Sequence, residues 1–126
     1  MAVGDLKGDV GKHEVIQVDA GGAVTKGDLV HIESDGYWDT VTDGDLGKFG
    51  VALDTATTEG DDIRVCIWGP VEVKASGAVK KGYACMAGNT GTVAQTDHAN
   101  TGENCGTALE AAADAANFTL FVGMVD

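Results

Sequence analysis

Histidines and cysteines are the residues in this chain best suited to catalysis or metal binding, but their spacing supports neither. The histidines form no HxH or HExxH pair, and the cysteines are odd in number, far apart and outside any CxxC motif. Apolar, strand-like runs surround two of the cysteines, so we predict small buried thiols in a protein made in a reducing compartment. Of the histidines, only His31 falls in a predicted strand. The residues concerned are His13, His31, His98, Cys66, Cys85 and Cys105.

Two loops, Thr42–Asp45 (TDGD) and Glu59–Asp62 (EGDD), cluster carboxylates that could hold a cation. Calcium takes about six or more oxygen ligands, and neither loop has the EF-hand pattern with its closing Glu. We interpret both as solvated turns, with a weak divalent site between subunits as the alternative. GxSxG and GxxxxGK[ST] motifs are absent as well. The sequence therefore predicts no catalytic, cofactor-binding or metal-ligating residue and no enzyme.

Length and charge narrow the classes of function further. The chain has 126 residues, enough for one domain, and a net charge of −12 from 20 acidic and 8 basic residues. Such a surface repels nucleic acid and anionic membranes, so neither is an expected partner. Its 19 glycines against a single proline indicate many short strands joined by tight turns. With no signal peptide and no long apolar run, we expect a protein that is neither exported nor membrane-spanning.

The chain contains an internal duplication. Ile16–His31 (IQVDAGGAVTKGDLVH) aligns with Val71–Met86 (VEVKASGAVKKGYACM) at an offset of 55 residues, with seven of sixteen positions identical. Gly50–Ala56 matches Gly106–Ala112 at an offset of 56, with four of seven identical. Because the matching blocks are collinear, we predict one β domain over residues 16–126, with repeats at 16–69 and 71–124.

Each repeat predicts the same series of short strands. Val15–Val18 or Val71–Lys74 opens the unit, and a Gly-Ala-Val-x-Lys-Gly turn, a second strand and a short third strand follow. A Gly-x-Ala-Leu strand then leads to a closing strand, Ile63–Ile67 or Phe118–Val122, whose apolar residues alternate. The predicted fold class is all-β, a small barrel or sandwich.

One segment conflicts with this series. The alanine-rich run at 108–116 has high helix propensity, whereas its repeat partner has none. We therefore expect a strand that ends near Glu110 and at most one helical turn after it.

Residues 1–15 lie outside the repeat and are predicted to form an extended N-terminal arm. Their few apolar anchors, Val3, Leu6 and Val10, are separated by glycines and charges and cannot build a core. Two interpretations stay open: a frayed terminus, or a segment that docks on a neighbour by strand addition. In the second case, deleting residues 1–12 should weaken attachment to that neighbour without unfolding the body.

Four blocks carry a resemblance to a known family. The chain resembles the small capsid decoration, or cement, proteins of tailed viruses over most of its length, Val15 to Met124. The order of the blocks supports the resemblance more than any single one. The blocks are Ala20–Asp28 (AGGAVTKGD), Gly47–Asp54 (GKFGVALD), Val65–Val73 (VCIWGPVEV) and Gly106–Ala112 (GTALEAA).

The resemblance implies a β-barrel or β-tulip-like body on the outer surface of an assembled capsid, commonly as a homotrimer. It also implies an arm that packs against the major capsid protein, with Val3, Leu6 and Val10 as its contacts. The protein would be made in the host cytoplasm and become part of the virion. It would need no cofactor and no small-molecule substrate.

The alternative is a receptor- or glycan-binding module without catalytic activity. Tyr37 and Trp38 are the possible interface aromatics, and Trp68 helps to separate the two functions. An exposed Trp38 beside Tyr37 would favour a glycan platform, whereas burial at a subunit contact would favour the cement function.

Overall fold

The regular elements of the protein are β-strands, as the alternating apolar pattern predicts. We describe a computed structural model that covers residues 2–8, 12–96 and 104–123. These residues form nine strands and a short 3-10 turn at Asn89–Gly91, so the predicted all-β class is confirmed. The strands are β1 (Glu14–Asp19), β2 (Leu29–Ile32), β3 (Trp38–Thr40), β4 (Phe49–Ala52), β5 (Asp62–Lys74), β6 (Ala84–Ala87), β7 (Val93–Gln95), β8 (Gly106–Ala108) and β9 (Asn117–Val122).

The strands form one curled, barrel-like sheet in the order β3-β2-β4-β5-β9-β8-β6-β7, and β1 pairs with β5 beside this path. Every pairing between named strands is antiparallel. The long strand β5 lies at the centre: its first half pairs with β1 and β4, and its second half pairs with β9.

The 13-residue strand β5 differs from the prediction. The sequence suggested separate strands at Ile63–Ile67 and Val71–Lys74, because the first closes one predicted repeat and the second opens the next. The strand nevertheless continues, since Gly69 and Pro70 pair in register with Val122 and Phe121 of β9. Proline has no N–H to donate, but the Pro70 carbonyl accepts hydrogen bonds from the Lys7 N–H (3.1 Å) and from Nε2 of His13 (2.7 Å).

The two halves of the chain carry matching bridges outside the named strands. Ala20 bridges Trp38 and Ala75 bridges Val93, both in parallel orientation. A second pair of antiparallel bridges joins Val24 to Ala56 and Val79 to Ala112. All of these partners lie 55 or 56 residues apart between the halves, the offset of the sequence blocks. The duplication stays a prediction, and we use it below to compare equivalent positions.

Two apolar clusters form the core. The larger lies between the two halves and includes Phe118, Leu29 and Leu120, all buried; the smaller fills the first half around Trp38, Ile63 and Val65. Full burial of a side chain of this size contributes about 1.5–3 kcal/mol, so the strands' alternating apolar residues account for most of the stabilisation.

The alanine-rich run after β8 forms no helical turn. The strand ends at Ala108, two residues before the predicted end at Glu110. Ala112 then exchanges backbone hydrogen bonds with Val79 (2.8 and 2.9 Å), and the Asp114 carboxylate accepts the Gly77 N–H at 2.8 Å. These partners hold the run in an irregular path that ends in a turn at Asp114–Ala115, where the φ of Ala115 is +64°, so tertiary pairing overrides its helix propensity.

Candidate functional site

The N-terminal segment lies along the second half of β5 as a short added strand. Leu6 bridges Val71 in antiparallel orientation. Gly4 donates its N–H to the Glu72 carbonyl (2.7 Å), and the Glu72 N–H donates to the Asp5 carbonyl (3.0 Å). Because β9 already pairs with the opposite side of β5, this segment covers the remaining edge at those residues.

The apolar side chains of this segment pack on the chain's own body. Leu6 is half-buried against the larger core cluster. Val3 lies directly over Gly27, whose φ of +94° and missing side chain permit the close approach. Beside it, Nζ of Lys26 lies 3.1 Å from the Asp5 carboxylate and lowers the pKa of that group. The predicted capsid contact of Val3 and Leu6 stays a prediction, and Val10 lies outside the described residues.

The two aromatics predicted for an interface do not form an exposed pair. Trp38 is only 6% exposed and belongs to the smaller core cluster. Tyr37 is half-buried, and its N–H donates to the Asp35 carboxylate at 2.9 Å. Trp38 is thus buried within its own chain, and the exposed Tyr37–Trp38 platform that a glycan site would need is not present.

A different tryptophan reaches the surface. Trp68, at the middle of β5, is 41% exposed and meets Phe121 edge to face at 5.1 Å between ring centroids. The sequence suggested that the exposure of Trp68 would help to distinguish the cement function from a binding module, but it did not assign Trp68 to a binding site. Alternation that points Ile63 and Val65 inward places Trp68 on the opposite side of β5, but it would also expose Cys66, which is fully buried, so the pattern alone does not decide the exposure of Trp68.

Trp68 borders an open apolar cavity of about 300 Å³, which we call the β1 groove. The groove lies beside β1 and combines apolar and aromatic walls with one acid and one base. Its lining residues are Glu14, Ile16, Trp38, Lys48, Phe49, Ile67 and Trp68. Concave apolar surface with a few charges at its rim is suited to receiving side chains of another molecule.

Carboxylates crowd the surface near this groove. Asp19, the last residue of β1, faces Asp62 across the strand pair, and a hydrogen bond between the two carboxyls raises the pKa of Asp19. Asp39 raises the pKa of Glu33 in the same way. Both shifts have one cause: two like charges held together favour a shared proton. These paired acids make the region strongly attractive to basic side chains.

The acidic loops use their carboxylates to hold turns. Asp45 accepts the Thr42 N–H at 2.9 Å, and Asp61 accepts the N–H groups of Thr57 and Thr58, both at 3.1 Å. Within residues 2–8, 12–96 and 104–123, no three His, Cys, Asp or Glu side chains are grouped to hold a metal ion.

The histidines that the structure describes have structural contacts. His31 stacks on Phe49 and places Nε2 3.4 Å from the Asp45 carboxylate, while its Nδ1 lies 3.0 Å from the Leu46 carbonyl. Together these contacts attach the 42–46 loop to β2. His13 packs on Gly69 of β5, and His98 lies outside the described residues.

All three cysteines are buried free thiols, as predicted. Burial raises the pKa of Cys85 to about 12, and burial also raises the pKa of Cys66 and Cys105. A thiolate is the reactive form, so these side chains are poor nucleophiles at neutral pH. They act as small apolar core residues.

We expect the native thiols to react with Ellman's reagent at pH 8 much more slowly than free cysteine, by about a thousandfold for Cys85, because burial raises their pKa and leaves little thiolate. Absorbance at the thionitrobenzoate band measures the reaction. In denaturant all three thiols should react at once, which provides the control. Rapid reaction of any native thiol would contradict the burial described here.

The described residues form a small all-β protein with a docked N-terminal segment and an open apolar groove beside β1. In the part of the chain that the structure describes, no helix is long and apolar enough to cross a bilayer.

The family model described as phage cement protein matches residues 8–124, and the chain therefore belongs to the phage cement protein family. That family is a family of structural phage proteins associated with the capsid. The base of the head fiber protein gp8.5 of bacteriophage phi29 is a structural neighbour, with a TM-score of 0.64 and 22% identity over 87% of this chain and 93% of that one. This likeness shows a common fold. No curated protein matches the sequence.

Proposed function

We propose that this protein cements a phage capsid by binding the outer surface of the assembled shell through the major capsid protein. The family match over residues 8–124 carries the proposal. In this function the protein is made in the host cytoplasm, becomes part of the virion and stabilises the shell. It acts as a structural protein and not as an enzyme.

The physics of cementing fits a rigid β body. A protein that binds the assembled lattice and not the free subunits stabilises the lattice by mass action. A homotrimer that bridges several capsid subunits multiplies weak contacts through effective concentration, so we include this oligomeric state in the proposal. The net charge of −12 gives decorated particles a repulsive outer surface and keeps them dispersed.

The N-terminal segment, residues 1–15, is the second contact in this proposal, through Val3, Leu6 and Val10. Since Val3 and Leu6 pack on Gly27 and the core, the segment would meet the capsid while docked on β5. A glycan-binding function is less well supported, because Trp38 is buried.

Purified protein mixed with matching capsids that lack it should bind to saturation and raise the temperature at which the shells break open. Co-sedimentation measures binding, and release of packaged DNA on heating measures shell stability. Capsids that already carry the protein should bind no more and provide the control. Failure to bind, or binding without stabilisation, would contradict the cement function.

A further inference from the structure

The outer edge of β1 is the side of this strand that faces away from its partner β5. Within the described residues, β1 pairs with β5 alone, and no turn or loop hydrogen bond joins its backbone to another segment. A strand paired on one side presents alternating N–H and C=O groups on the other. β1 is also accessible, with Val15 at 38% exposure and Ile16 and Val18 half-buried.

The equivalent edge in the second half is covered. At the repeat offset of 55, Ile16 corresponds to Val71, and Val71 is the residue that Leu6 bridges. The chain's own Gly4–Lys7 therefore occupies one of two equivalent edges by strand addition, with the Leu6 side chain against the core. No segment among the described residues covers the edge of β1 in this way.

The groove beside β1 also differs between the two halves of the chain. Four of its apolar lining residues correspond, at offsets of 55 or 56, to residues of the larger core cluster that are all 0% exposed. The second half is closed where the first half has an open groove. The corresponding pairs are Ile16 and Val71, Trp38 and Val93, Phe49 and Cys105, and Ile67 and Val122.

Charge decides which occupant fits. Both ends of β1 are acidic, with Glu14 at one end and Asp19 facing Asp62 at the other. A second copy pairing antiparallel through its own β1 would bring Glu14 towards Asp19 of that copy, and like charges across a strand pair are destabilising. A basic segment of another protein has the complementary charge.

We propose that the outer edge of β1 and the β1 groove bind an extended segment of the capsid protein as an added strand. An apolar side chain of that segment enters the groove, and Lys or Arg residues at its two ends meet Glu14 and the Asp19–Asp62 pair. The backbone pairing supplies affinity, and the groove and charges supply specificity. This inference rests on the proposed cement function and identifies the surface that performs it.

Amide hydrogen exchange and paired variants test the inference on capsids that lack the protein. Exchange at residues 14–19 should slow when the wild-type protein binds, because the outward N–H groups gain partners. I16E places a charge in the groove and should weaken binding by about tenfold or more. L109E adds the same charge to an exposed apolar residue that follows β8, outside β1 and outside the groove, and should stay within about twofold of wild type.

The outcomes separate the two proposals. If wild-type protein fails to bind capsids at all, both the cement function and this inference are wrong. If it binds while exchange at 14–19 is unchanged, only the β1 site is wrong, and this readout needs no variant to fold. Equal loss of binding in I16E and L109E would also show that the groove is not the binding site. Self-association in solution that I16E abolishes would show that a second copy is the occupant.

Discussion

Replacing Gly106 with alanine is expected to destabilise the folded protein by about 3 kcal/mol. Gly106 is buried in β8 and pairs with both Cys85 of β6 and Val122 of β9. A Cβ at this position would lie directly against the carbonyl oxygen of Phe121, and 3.0 Å from its carbonyl carbon. Backbone atoms in a paired strand cannot rotate away, so β8 and β9 would have to separate.

Urea denaturation followed by tryptophan fluorescence measures this loss. G22A is the control, since a Cβ at Gly22 would meet nothing within 4 Å, and its change should stay within about 0.5 kcal/mol. G50A, at the equivalent position of the first half, should cost less than G106A. Its closest contact is a methyl group of the Val65 side chain, and the nearest backbone atom, the Cys66 carbonyl oxygen, lies 3.0 Å away, whereas at Gly106 the closest contact is itself backbone. A G106A protein as stable as wild type would contradict the β8–β9 register.

Deleting residues 1–12 should lower the free energy of unfolding by about 2 kcal/mol and weaken capsid binding by about tenfold. The sequence alone suggested weaker attachment without unfolding of the body. The structure adds the stability term, because the segment contributes the half-buried Leu6 and backbone hydrogen bonds to β5. The deletion also uncovers the edge of β5 at Pro70–Glu72.

The two effects can be measured separately. Denaturation gives the stability term, and co-sedimentation well below the unfolding temperature gives the capsid term. L6A should reproduce part of the stability loss, whereas L46A, at a residue 57% exposed, should not. Unchanged stability in the truncation would show that the segment does not dock on β5. Unchanged capsid binding would show that the N-terminal segment is not part of the capsid contact.

Alternation and turn residues were enough to predict the strands, because both are local properties of the chain. The closing strands around Ile63 and Phe118 follow a period of two and lie close to the predicted positions. The two strands expected at Ile63–Ile67 and Val71–Lys74 are one continuous strand, because β9, which pairs across the residues between them, lies about fifty residues further along the chain. Local signals contain no information on such a partner.

The contact surface was harder to predict than the fold for a related reason. Trp38 lies in a strand of three residues, which is too short for alternation to decide which face is buried. Leu6 is a single apolar residue among glycines and charges, so nothing nearby indicates that it packs on the core. The β1 groove arises where residues from β1, β3, β4 and β5 meet, and only the assembled sheet brings them together.

The continuity of β5 has a consequence for how the molecule resists being pulled apart. Each half needs this one strand to complete its own sheet: the first half through β1 and β4, the second through β9. Unfolding either half would disorder part of β5, and the other half would then lose a strand with which it pairs. The two halves should therefore unfold as one cooperative unit. A mechanical force applied to one half is transmitted to the other through the continuous backbone of β5. Two modules joined by a flexible linker would unfold one after the other. In this protein we expect neither half to unfold before the other.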